Sequence, residues 1–152
     1  LSKKYDFEDE YLSDNAKKEK KQEILKKQIV KYINKQDPKH EIVNIDEEVK
    51  KITYAPEIIC HNPIKYENEG YVRAFLVVKL VTELGYSVKD IELEKHYNIG
   101  SQPEDKNAFI DIVVRERDNA ENVFLFIECK APEAYESNKI KIMVYARKQE
   151  FT

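Results

Sequence analysis

Between Asn15 and Asn34 the apolar residues Ile24, Leu25, Ile29, Tyr32 and Ile33 recur one turn apart among lysines and glutamates, which predicts a strongly amphipathic helix. From Asp37 to Pro63 that periodicity is broken by Pro38, Pro56 and Pro63, so the stretch reads as a connector. A short helical piece is expected within it, N-capped by Asp46 and running through Val49 to Ile52. Glu69 to Leu84 is apolar almost all round and ends at Gly85, the pattern of a core helix wedged between a sheet and other elements. Alternation from Ile91 to Ile99 predicts a half-exposed strand with Glu92 and Glu94 on its solvated side. After a polar loop, the apolar runs Ala108 to Val114 and Val123 to Lys130, joined by a turn from Arg115 to Asn122, predict two antiparallel neighbours covered on both faces.

Composition narrows the class. The 152 residues suit one domain with an appendage, and 41% hydrophobic with 36% charged residues describes a globular chain with an ionic surface. A net charge of −3 gives the molecule no global attraction to nucleic acid, so any DNA contact must be local. The lysines of the first helix therefore read as a solvated face. Cys60, Cys129, His40 and His61 match no structural zinc spacing, and two free cysteines without a secretory signal suggest a reducing, cytoplasmic setting. No apolar run reaches the roughly 18 to 20 residues a membrane span needs. Three glycines and no phosphate-cradling loop exclude an ATP-driven motor within this stretch. Leu1 in place of methionine, and an end at Ile140 to Phe151 without a cap or turn, lead us to expect a piece of something longer.

The informative conflict lies in the last two apolar runs, each of which carries ionisable residues where a buried strand should have none. An unpaired carboxylate there is costly, so Asp111 must meet a cation or lie at the sheet rim. Strand alternation turns Glu128 and Lys130 to one face and Cys129 to the other. If the two strands pair, Asp111 comes near Glu128, giving hard oxygen ligands suited to Mg²⁺ with an ammonium beside them. Such a site hydrolyses phosphodiesters. Spacing alone equally allows a strand-end aspartate with Glu128 and Lys130 as a solvated pair.

The neighbouring residues add a resemblance. Glu69 to Arg73 followed by the apolar helix, Gly85-Tyr86, the glutamate-bearing strand, Phe109-Ile110-Asp111-Ile112-Val113-Val114 and Ile127-Glu128-Cys129-Lys130-Ala131-Pro132-Glu133 resemble the N-terminal nuclease domain of type I restriction enzyme R subunits. The likeness runs from about Glu67 to Glu133, and Glu-Cys-Lys-Ala-Pro after an apolar strand is its most specific part. It implies an α/β restriction-endonuclease-like, PD-(D/E)XK fold, a central mixed sheet flanked by helices with the amphipathic helix at the N-terminus. Residues 1–63 would form a helical extension and connector, and 64–152 the nuclease core of a longer restriction protein.

By that resemblance Asp111 and Glu128 bind Mg²⁺, or Mn²⁺ in its place, the peptide carbonyl of Cys129 is a further metal ligand, Lys130 is the catalytic lysine and Glu69 the acid of the helix. The implied activity is cleavage of double-stranded DNA, with motor, methyltransferase and specificity parts supplied by other domains or subunits. The sequence departs from the family where a glutamine four residues before a tyrosine sits on a helix after the lysine strand: that position, four before Tyr145, is Lys141. Lys139, Lys141, Arg147 and Lys148 are then either phosphate contacts or charges that complement a helix end. The reading from another class is a non-catalytic, nuclease-like assembly module that docks its partners through the stripe Ile24 to Ile33.

Overall fold

The computed structural model describes residues 14–96, 109–119, 122–129 and 143–145. In chain order the described elements are helix α1 (Asp14–Gln36), strands β1 (Val43–Asp46), β2 (Lys51–Tyr54) and β3 (Ile59–Cys60), helix α2 (Asn68–Thr82), a 3₁₀ turn (Val88–Asp90), and strands β4 (Ile91–His96), β5 (Phe109–Arg115), β6 (Val123–Glu128) and β7 (Met143–Tyr145). This is an α/β arrangement. Strands β3-β4-β5-β6-β7 form a mixed sheet in that order, with β3 parallel to β4 and the other pairs antiparallel. No helix among the described residues is long and apolar enough to cross a membrane.

The sheet packs through residues spaced by two. Register aligns Leu93 with Ile112 and Ile112 with Ile127, and likewise Ile91 with Val114 and Val114 with Leu125. All six are buried in one core with Ala74, Val77 and Val78 of α2. Fully burying each such aliphatic side chain contributes about 1.5–3 kcal/mol. α2 lies between the sheet and α1, whose Ile29 and Ile33 are 5% and 2% exposed. The apolar stripe of α1 is thus largely covered by the chain itself, leaving Ile24 as its exposed member. That removes most of the surface on which the docking module was to rely.

Gly85 takes φ 77 just past α2, and the Tyr86 amide closes on the carbonyl of Leu80 at 3.0 Å, ending the helix as expected. The segment before α2 differs from expectation. In place of a helix from Asp46 to Ile52, β1 and β2 form an antiparallel hairpin. The Asp46 carboxylate accepts the amides of Glu48 and Val49 at 3.0 and 3.1 Å, so the side chain performs a capping task within a turn. Alternate burial of Val43 and Ile52 in the core favours strands over a lone helical turn. At its start, buried Asp37 accepts the amides of Glu41, Ile42 and Val43 at 2.9, 2.9 and 3.0 Å, folding the chain from α1 into the hairpin.

Near the other end, the described residues Met143–Tyr145 pair with β6 as a strand, where the resemblance places a helix ending near Tyr145. The edge of β6 offers unpaired backbone groups, and a strand satisfies them where a helix would not. Lys139, Lys141, Arg147 and Lys148 lie outside the described residues.

Candidate functional site

One end of the sheet gathers the acids. Leu93↔Ile112 and Lys95↔Ile110 leave Glu94 opposite Asp111, and continuing Ile112↔Ile127 by one residue sets Glu128 on its other side. Glu94, Asp111 and Glu128 therefore form a row across three adjacent strands. The same end meets the N-terminal turn of α2. Glu69, Arg73, Glu94, Asp111, Glu128 and Cys129 line one open cleft of about 530 Å³.

Asp111 is held in a specific way. It is 13% exposed, and its Oδ2 accepts the amide of Cys129 at 2.6 Å, tying β5 to the residue that follows β6. Its Oδ1 lies 4.0 Å from Nη1 of Arg73. Burial pushes the Asp111 carboxyl above its usual range and the charges of Glu94 and Glu128 push the same way, while the Cys129 amide and Arg73 pull against them.

Arg73 and Glu94 are the members that sequence reasoning missed. Arg73 is 2% exposed, pairs with the Glu94 carboxylate and reaches the Tyr54 hydroxyl at 3.4 Å. Its signal was available: an arginine inside an apolar helix, one turn after Glu69, is the same kind of conflict as Asp111. Glu94 had no such signal. Strict alternation from Leu93 would turn it away from α2, but its φ of 54 breaks the alternation and lets its carboxylate meet Arg73. A left-handed glutamate costs about 1–3 kcal/mol, which its ion pair and the bond from Asn62 Nδ2 to its carbonyl at 3.1 Å help offset.

Glu92 is not solvated either. It is 8% exposed and bound by Arg115, by His61 Nε2 at 2.8 Å and by Lys95 at 3.7 Å. His61, assigned no zinc role from spacing, serves this network. His40 pairs with Asn44 at 2.9 Å.

The donor set decides which metal the cleft could take. Among the described residues no three His, Cys, Asp or Glu side chains are arranged as a ready-made cage. Burial pushes the Cys129 thiol well above its usual pKa, which disfavours a thiolate and leaves the carbonyl as the donor Cys129 offers a hard cation. What remains are carboxylate oxygens at a water-accessible rim. That suits Mg²⁺, which commonly keeps several waters and takes one or two carboxylates. Lys130, next in the chain, lies outside the described residues.

The comparison with known families is made on the same stretch. Residues 68–151 match the model of the type I restriction enzyme R protein N terminus. The chain belongs to this family. No curated protein matches it. The match begins at the first residue of α2 and spans β4 to β7, so the whole sheet end that carries the acid row lies within the restriction R protein domain. Membership sets the chain in the context of a restriction system and its other subunits.

Proposed function

We propose that this chain is a Mg²⁺-dependent, PD-(D/E)XK-type endonuclease domain that hydrolyses phosphodiester bonds of double-stranded DNA in a restriction system. The observation that carries the reading is the row at the sheet end, with Asp111 fixed by the Cys129 amide beside Glu128. Asp111 and Glu128 would hold the metal, with the Cys129 carbonyl as a further ligand. Bound there, Mg²⁺ would supply Lewis acidity to the scissile phosphate and lower the pKa of a water.

The chain's own residues do the rest. The Cys129 amide fixes the Asp111 carboxylate before any ligand arrives, so little ordering is left for binding to accomplish. Lys130 follows this anchor by one residue and would orient or deprotonate the attacking water and offset charge developing on the phosphate. Glu69, half-buried in the first turn of α2, lines the same cleft and would help direct water toward the metal. Sequence choice and DNA translocation would come from specificity, methyltransferase or motor parts outside this stretch.

Calorimetric titration with Mg²⁺ tests the metal site, and plasmid cleavage with Mg²⁺ or Mn²⁺ tests the reaction. Binding and cleavage by the wild type that both vanish in Asp111→Ala and Glu128→Ala are expected. Mg²⁺ binding that survives in both variants, or that is absent from the wild type both with and without a short DNA duplex, overturns the reading.

A further inference from the structure

We propose that Arg73 is an internal counter-ion that holds the metal affinity of the free site low, so that metal and a nucleic-acid phosphate load the cleft together. This inference rests on the reading of Asp111 and Glu128 as metal ligands. Arg73 is 2% exposed and remains charged at any ordinary pH, so its charge cannot be moved into solvent or titrated away. Asp111 has one oxygen committed to the Cys129 amide. The other, the oxygen left for a cation, faces the Arg73 guanidinium at 4.0 Å.

Two consequences weaken a metal in the same direction. A cation on that oxygen shares it with a fixed positive charge, and repulsion between like charges is stronger in a partly buried site than in water. Glu94, which the register places beside Asp111 as a third carboxylate, is committed to Arg73. The Arg73–Glu94 pair thus adds a charge and withholds a ligand. A phosphodiester brings anionic oxygens that both the guanidinium and the metal can share, which relieves the repulsion. Coupling of this kind is reciprocal: DNA tightens the metal and the metal tightens DNA. Arg73 is a positioning residue in this account, since it acts through Asp111 and Glu94.

The test is Mg²⁺ affinity by calorimetry, with and without a short DNA duplex, on the 152-residue chain. Arg73→Gln/Glu94→Gln removes the ion pair as a unit, and it should bind Mg²⁺ about tenfold tighter than wild type without DNA and gain less from the duplex. Glu94→Gln alone leaves the arginine concentrated on Asp111, and it should bind Mg²⁺ more weakly than wild type. Arg73→Lys, which keeps the charge, should stay close to wild type. A merely structural role would weaken binding in both the double and the single variant, and that outcome, or unchanged affinity in both, overturns the inference. If the double variant does not unfold cooperatively, the Glu94→Gln and Arg73→Lys arms decide: affinity unchanged in the first, or lost in the second, overturns it. Wild type that binds Mg²⁺ through Asp111 while Arg73 variants fail these expectations separates this failure from failure of the metal site itself.

Discussion

The Asp111 carboxylate accepts the Cys129 amide at 2.6 Å, so the acid of one strand is anchored by the backbone that carries Glu128 into the next residue. Two substitutions divide its roles. Asp111→Asn keeps an acceptor for that amide and removes a charge held among Glu94 and Glu128. Because the folded-state pKa is raised, the ionised carboxylate is less favourable in the folded than in the unfolded chain, and that stability is recovered as pH falls through the folded-state value toward the ordinary one. Asp111→Asn is therefore expected to raise the metal-free melting temperature. Asp111→Ala strands the amide and should be less stable than Asn by about 1–2 kcal/mol. Thermal unfolding at pH 7 without divalent ions measures both.

Asp37 accepts three amides at the junction of α1 and β1 while 5% exposed. Asp37→Ala leaves those donors without a partner in a crowded turn, a loss of about 3 kcal/mol. For a chain of this length that lowers the melting temperature by roughly 6–12 °C. Asp37 is not among the residues that line the acid cleft, so Mg²⁺ affinity of the folded fraction should stay at the wild-type value. Denaturant unfolding and metal titration read the two quantities separately.

Glu92 makes the acid limb of stability testable. Burial alone would raise its pKa, but the hydrogen bonds from Arg115 and His61 and the charges of Arg115 and Lys95 outweigh it and hold the carboxyl below its ordinary value of 4.5. The unfolded chain then binds that proton more readily than the folded one. The stabilisation is complete above the ordinary value and is lost as pH falls through the folded-state value. Glu92→Gln should lower stability at pH 7 and reduce the loss between pH 7 and acid. Parallel slopes for variant and wild type across that window would refute it.

Gly70 couples α2 to the hairpin. A Cβ added there would meet Cδ1 of Ile52 at 2.9 Å and the carbonyl of Lys65 at 3.3 Å. Gly70→Ala gains about 1 kcal/mol of helix propensity, and the contact with the 3% exposed Ile52 cancels or exceeds that gain. Ile52→Val removes the offending methyl. In a double-mutant cycle Gly70→Ala should be at least about 0.5 kcal/mol more favourable in the Ile52→Val background. Additive values would show that Ile52 moves aside without cost.

Sequence alone determined the elements whose cause is local. The periodicity of Ile24 to Ile33 gave α1, the apolar run closed by Gly85 gave α2, and the paired runs around Asp111 and Glu128 gave antiparallel β5 and β6, because side-chain spacing and backbone preference act over a few residues. It also placed the chain in its restriction family through Glu128-Cys129-Lys130-Ala131-Pro132, and marked Asp111 as out of place in an apolar strand. The tertiary structure decided what depends on strands and helices distant in sequence. Asp46 to Ile52 became a hairpin because Val43 and Ile52 find a core that no local signal reveals. Glu92 and Glu94, polar in an alternating strand, were turned inward by partners 21 to 31 residues away, Arg73, Arg115 and His61. The site itself divides in the same way: Asp111, Glu128 and an arginine out of place in an apolar helix can be read along the chain, but the place of Glu94 beside Arg73 is a consequence of how α2 lies on the sheet.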